Sequence, residues 1–113
     1  MIIKAIDMKV DKVEQTTIVV LDDYEIIGTV QLRYKGKKSA CIWLLFVEEN
    51  YRREGIATLL VNECCKMAKQ EHCQTLGLIV DKDNEPAMSL YHKLGFKFSY
   101  EYEDNTYLMV KDL

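Results

Sequence analysis

The sequence has one proline, Pro86, two histidines, and no continuous apolar run near the roughly 20 residues that a membrane span requires. It also lacks repeats, low-complexity tracts and Gly/Ser/Pro-rich linkers, so nothing divides the 113 residues, and a single domain over 1–113 is expected. Residues 1–15 are interrupted by Lys4, Asp7 and Lys9, which breaks the apolar centre that a secretory signal would need. The expectation is a soluble, cytoplasmic protein without membrane contact. Basic residues are not in excess, the net charge being −3, so the broad cationic footprint of a nucleic-acid binder is missing and no nucleic acid is expected as a partner. Four cysteines (Cys41, Cys64, Cys65, Cys73) form neither a C-x-x-C pair nor a Cys/His set at metal-ligand spacing, and two of them are adjacent. Reduced, buried thiols and no metal are the reading that remains.

What is present is a large apolar fraction, 49%, enough for one real core. Strand-like runs rich in β-branched and aromatic residues come first: 2–8, 16–21, 25–34 and 39–47. The joints DDY and KGKK are short, which predicts antiparallel hairpins and a meander over 16–47. After Gly55 the period changes: Ile56, Leu59, Leu60, Cys64, Met67 and Ala68 fall on one helical face that ends near His72. TLGLIVD at 75–81 is too short for a buried helix and suits a central strand parallel to 39–47, joined to it by the helix as a βαβ crossover. A second helix from about Asn84 to Leu94 has an Asn cap, Pro86 in its first turn and Gly95 as its stop. FKFSYEYE and TYLMVKD close the chain as a hairpin. The predicted order is β-β-β-β-α-β-α-β-β, an α+β fold with a mixed, mostly antiparallel sheet.

The stretch YRREGIA stands directly before the first helix. A helix N-terminus leaves amide N–H groups unpaired and carries partial positive charge, so a loop that turns several amides inward forms an anion site. Gly55 presents no side chain to obstruct a phosphate, Ala57 is small where the helix must lie against it, and Arg52 and Arg53 add charge. Pyrophosphate suits such a site, although the glycine could equally serve only to turn the chain.

Arg52-x-x-Gly55-x-Ala57 after a strand ending at Val47, followed by Asn84-x-x-Ala87-x-x-x-Tyr91-x-x-x-Gly95-Phe96, resembles the GNAT superfamily of acetyl-CoA-dependent N-acetyltransferases over about residues 25–98. The resemblance implies a GNAT-like fold in which 39–47 bulges and splays from its parallel neighbour, so that Leu45, Phe46 and Val47 pair with the pantetheine arm of acetyl-CoA. It implies that the Leu45 amide polarises the thioester carbonyl, that amides of Arg53, Gly55, Ile56, Ala57 and Thr58 wrap the pyrophosphate beside Arg52, and that Asn84 contacts the cofactor while capping its helix. Tyr91 falls at the position of the general acid for the departing thiolate; a phenol is neutral near pH 7 and can donate there. Candidate bases are Glu48 and Glu49 at the end of the splayed strand, acting through water. Glu54, His72 and His92 are not assigned a role.

The chain departs from the family in one respect. GNAT domains usually place two helices between the first and second strands as a wall of the acceptor site, and here KVDKVEQ is too short to hold them. The acceptor side is then expected to be shallow and bounded by residues 9–15, Glu48-Glu49 and the C-terminal hairpin with Glu101, Glu103 and Asp104. That favours a cationic amine on an extended or macromolecular acceptor, within the broader expectation of a primary amine on a small molecule or a protein. A second subunit could supply the wall, and a homodimer is compatible with the family, but the sequence identifies no patch for it. The alternative function is a non-catalytic acyl-CoA-binding or interaction module of the same fold.

Overall fold

The computed structural model describes residues 1–10 and 13–113, with the side chains of 1–7 and 14–113. Seven strands and two helices follow in order: β1 Ile2–Val10, β2 Val13–Asp22, β3 Glu25–Lys35, β4 Ser39–Val47, α1 Ile56–Gln70, β5 Thr75–Asp81, α2 Glu85–Lys93, β6 Lys97–Glu101 and β7 Thr106–Asp112. Among the described residues they form one seven-stranded sheet in the order β1-β2-β3-β4-β5-β7-β6, in which only the β4–β5 pair is parallel. This is the GNAT-like α+β arrangement expected from the sequence. β1 and β2 run further than expected, to Val10 and from Val13, because Val10 and Val13 continue the antiparallel ladder past the polar residues that read as a loop.

Both helices pack on one face of the sheet. Successive residues of a strand point to opposite faces, so Ile18, Val20, Val30, Leu32, Ala40, Ile42, Leu76, Leu78 and Met109 turn inward together. Against them lie Ile56, Leu60, Val61, Cys64 and Ala68 of α1, at the spacing of one helical stripe, and Phe96 just after α2, all fully or nearly buried. Each such large side chain contributes about 1.5–3 kcal/mol on removal from water, and Leu60→Ala would cost about 2–5 kcal/mol. Cys64, Cys65 and Cys73 are buried and Cys41 is half-buried; all four are free thiols, and burial raises the pKa of each, that of Cys64 to about 12.

Close approach fixes where α1 begins. Gly28 of β3 lies under its first turn, and a Cβ there would stand 3.0 Å from Ile56 Cγ2 and 3.2 Å from Leu60 Cδ1. The absence of a side chain at Gly28 therefore brings the helix N-terminus down onto the sheet. α2 is shorter and less buried; its start is held by the Asn84 side chain, which accepts from the Ala87 amide at 3.2 Å, and it stops at Gly95, whose φ of 97° suits glycine.

Candidate active site

The sheet is open at one place. β4 and β5 pair only through Ser39–Thr75, Ala40–Leu76, Cys41–Gly77 and Ile42–Leu78, after which the strands separate although both continue. The cause lies in β4. Gln31 of β3 pairs with Trp43 but Thr29 pairs with Phe46, so β4 carries one extra residue, and Leu44 takes the left-handed φ of 51°. A bulge of this kind bends the strand and interrupts pairing. Because the Glu48 amide donates to Ile27 O on the β3 side at 2.8 Å, alternation turns the Leu45 and Val47 amides the other way, into the gap. The strand is not the buried run its composition suggests: Leu44 is 66% and Phe46 49% exposed.

The gap opens, on the helix-covered side, into a groove of about 540 Å³ between β4, the loop before α1, and α2. Leu45, Phe46 and Val47 line it from β4, Arg52, Arg53, Gly55, Ile56, Ala57 and Thr58 from the loop and first turn, and Asn84 and Tyr91 from the α2 side. Every cofactor-binding position expected from the sequence is thus brought to one concavity, together with Tyr91. Its size falls within the range of ordinary ligand sites.

The loop is built as an anion cradle. A 3-10 turn over Glu49–Tyr51 leads out of β4, fastened by Tyr51, whose hydroxyl donates to Asp22 Oδ2 at 2.8 Å. Arg53 and Gly55 then take positive φ, 66° and 82°. The first hydrogen bond of α1 is donated by Leu59 to Gly55 O at 3.0 Å, so the amides of Ile56, Ala57 and Thr58 have no partner within the helix and point at the groove end. Around Gly55 a Cβ would meet nothing within 4 Å; the space beside it is open. Arg52 does more than add charge, since its Nε donates to Val47 O at 3.1 Å and ties the loop to the end of the splayed strand.

Tyr91 packs edge-on against Phe96, with ring centroids 6.1 Å apart, and burial raises its pKa above the usual 10, so the hydroxyl stays protonated throughout the neutral range. The two candidate bases stand elsewhere. Glu48 and Glu49 are exposed, and Glu48 lines a separate shallow concavity with Glu25, Tyr51 and Glu54 on the β3 side. Among the described residues, the groove lining includes no carboxylate and no histidine. Of the acceptor boundary expected at residues 9–15, the side chains of 8–13 lie outside the described residues, and Gln15 pairs with Arg33 at the end of the sheet opposite the splay. The C-terminal hairpin does reach the splay end, where the Lys82 amide donates to Asn105 O at 2.8 Å and Lys82 pairs with Glu101 at 3.0 Å.

Residues 4–96 match the model of the acetyltransferase (GNAT) family. The chain belongs to that family. Among curated proteins it is similar to an acetyltransferase of Sodalis glossinidius, 33% identical over 89 residues, covering 79% of this chain and 59% of that protein. It is also similar to N-alpha-acetyltransferase 30 of Schizosaccharomyces pombe, 34% identical over 82 residues, with 69% and 55% covered. The chain spans about half the length of the curated relatives it matches. Among solved structures it resembles the PaiA N-acetyltransferase of Thermoplasma acidophilum in complex with coenzyme A, at TM-score 0.81 and 23% identity, covering 88% of this chain and 61% of that one. A GNAT acetyltransferase of Elizabethkingia anophelis with acetyl-CoA bound has TM-score 0.77 at 19% identity, with 89% and 76% covered. These structural likenesses establish the GNAT fold.

Two features escaped sequence reasoning. Trp43, the last residue of β4 before the bulge, turns to the face away from the helices, with its indole Nε1 buried and unpartnered and the Arg33 guanidinium 5.0 Å from its ring centroid. Asp81 ends β5 beside the gap on that same face, paired across the ladder with Thr106. An apolar run reads alike whether one face or both are covered, which is why neither position stood out.

Proposed function

We propose that this chain is an N-acetyltransferase that binds acetyl-CoA in the β4–β5 groove and passes its acetyl group to a primary amine by direct attack in a ternary complex. The observation that carries this reading is the convergence, in one groove, of free strand amides, an unpaired helix N-terminus with open space at Gly55, and a protonated phenol at Tyr91. Anionic phosphates fit the cradle formed by Gly55 to Thr58 and the two arginines, and an extended amide-bearing arm fits the unpaired edge of β4 as an added strand would.

Bound acetyl-CoA supplies a thioester, whose acyl carbon is the electrophile and whose thiol is the leaving group. The chain's own residues orient and polarise it. The Leu45 amide, fixed by the bulge, donates to the carbonyl oxygen as negative charge develops, an effect worth about 3 kcal/mol in other enzymes. Tyr91 donates its proton, or a strong hydrogen bond, to the departing sulfur. The groove lining includes no carboxylate among the described residues; Asp81, which ends β5 beside the gap, takes the amine's proton in this reading rather than Glu48 or Glu49, which lie toward β3.

Near the β6–β7 turn the acceptor-side mouth carries Asp81, Asp83 and Glu103 beside the Lys82–Glu101 ion pair, an acidic balance that favours a cationic amine. The base-free groove also supports a second reading, in which the chain binds acyl-CoA without turnover. Purified protein with acetyl-CoA and a panel of polyamines, amino acids, lysine peptides and aminoglycosides separates the two. Thiol release that depends on the amine supports transfer; binding of acetyl-CoA with no turnover of any amine supports the module.

A further inference from the structure

The open face of the sheet, opposite the helices, is divided across its width. Over β1, β2 and β3 it is mixed, with Lys4, Thr17, Thr29, Gln31 and Arg33 among its apolar residues. Over β4, β5, β7 and β6 it sinks into a hollow of about 230 Å³ walled by Trp43, Ile79, Leu108, Val110, Tyr100 and Tyr102. The hollow runs along the β4–β5 pair. One end is at Trp43 and Ile79, the first residues beyond the last parallel pair, Ile42–Leu78, so it opens where the two strands begin to part. The other end, four residues or about 13 Å back along the strands, is bounded by Ser39 and Thr75, whose hydroxyls bond at 3.3 Å.

Gly77 forms the floor, and the fold does not require a glycine there. It lies in the interior of β5, where glycine weakens a strand, and it has no left-handed φ. A Cβ at this position would stand 3.6 Å from Leu108 Cδ1 and 3.8 Å from Cys41 Sγ, ordinary contact rather than the collision met at Gly28. A side chain would instead rise into the hollow, between Cys41 of β4 and Val110 of β7, the ladder partners of Gly77. Glycine inside a strand often marks a place where a ligand comes close to the backbone.

We propose that the hollow holds the tail of an acyl-CoA donor longer than acetyl, a straight apolar chain of medium length. The inference rests on the functional reading above, which puts the acyl carbon in the gap beside the Leu45 amide and the pantetheine arm in the groove on the helix side. Carbons beyond the acetyl methyl then emerge on the open face, at Trp43 and Ile79. The acidic mouth at the β6–β7 turn takes the amine, and the hollow leads the opposite way, so tail and acceptor do not compete for space. An apolar cavity of about 150 Å³ holds benzene, so 230 Å³ admits a tail of roughly six to nine carbons. The chemistry is unchanged: a neutral amine bonds to the acyl carbon and passes a proton to Asp81, the carbon–sulfur bond breaks, and the thiol leaves with the proton of Tyr91. The tail sets only affinity and the choice of donor.

Calorimetric titration of the intact chain with CoA and with acetyl-, butyryl-, hexanoyl- and octanoyl-CoA needs no turnover. From acetyl to octanoyl the Kd should fall about two- to fourfold for each added methylene, the ratio expected for partial to full burial of a CH₂. Gly77→Val should flatten that series while the Kd of CoA itself stays within about twofold, because the valine fills the hollow and not the groove. Tyr100→Glu, at a half-exposed position on the rim, should weaken octanoyl-CoA roughly tenfold and leave acetyl-CoA unchanged, without touching the core. CoA binding that is indifferent to tail length overturns this proposal alone, as does a length series that both substitutions leave intact. Failure to bind CoA at all overturns the groove assignment and this proposal with it.

Discussion

Gly55 is the residue on which the anion cradle turns, and two substitutions there separate backbone from ligand effects. Its φ of 82° is the left-handed conformation that costs an ordinary L-residue roughly 1–2 kcal/mol. Nothing lies within 4 Å of a built Cβ, so Gly55→Ala suffers that strain and no clash. For a chain of this size, such a loss lowers the melting temperature by about 4–8 °C per kcal/mol. Gly55→Glu has the same strain and also puts a carboxylate where the proposed function places the pyrophosphate. A like-charge pair at 4 Å costs about 4 kcal/mol at an effective dielectric of 20, roughly a thousandfold in Kd. The assay is calorimetric titration of the folded variants with CoA, with a nucleotide diphosphate fragment and with pantetheine. Gly55→Glu should lose the two phosphate-bearing ligands and keep the affinity of pantetheine, which reads the β4 edge instead. Equal losses for pantetheine, or CoA binding that survives the substitution, would refute the placement of phosphate at this loop.

Tyr91→Phe should lower kcat while leaving the Kd for acetyl-CoA nearly unchanged, since the hydroxyl acts only as charge develops on sulfur; single-turnover kinetics check this, and an unchanged chemical step would return Tyr91 to a packing role. Glu48→Gln and Glu49→Gln should keep kcat/KM within about twofold and Asp81→Asn should lower it at least tenfold, because the first two lie toward β3 and the third ends β5 beside the gap; the reverse order would assign the base to the β4 end. Gly28→Ala should displace the start of α1, since Ile56 Cγ2 at 3.0 Å must give way, and should cost about 1–3 kcal/mol in urea denaturation together with weaker CoA binding; a stable variant with unchanged affinity would contradict the coupling. Stability should also fall in alkali. Burial raises Cys64 to about 12 from the usual 9, so below pH 9 both states hold the proton, and above it the unfolded chain releases a proton that the native chain keeps, until the folded pKa is passed. Tyr34, raised to about 12 by burial, adds in the same direction above pH 10. Urea midpoints from pH 8 to 11 should decline, less steeply in Cys64→Ala.

The strand and helix order was readable because each element carries its own period and its own stop: Ile56 to Ala68 at helical spacing, Asn84 and Gly95 as cap and terminator of α2, short joints between the strands of the meander. The candidate groove was traceable through the 52–58 loop and Tyr91, which lie close in sequence to the elements that position them and line it together. Other features depend on pairing across the sheet. No residue type marks Leu44 as a bulge, since a leucine at φ 51° is imposed by the ladder with β3 and not by local preference. The sequence places the end of β1 and the start of β2 too early and too late because Val10 and Val13 stand among polar residues that read as a loop, and their pairing is a tertiary fact. The uncovered face was invisible for a related reason: Trp43, Ile79 and Leu108 look like core until it is known that both helices pack on the other side.

Amide hydrogen exchange with and without acetyl-CoA tests the central claim, that the gap between β4 and β5 is the cofactor site. Protection should rise at Leu45 and Val47 and at Gly55 to Thr58, whose amides have no strand or helix partner, and should not change at Gly77 and Val110 on the open face. Protection confined to the open face, or none at Leu45 and Val47 at saturating acetyl-CoA, would contradict the account.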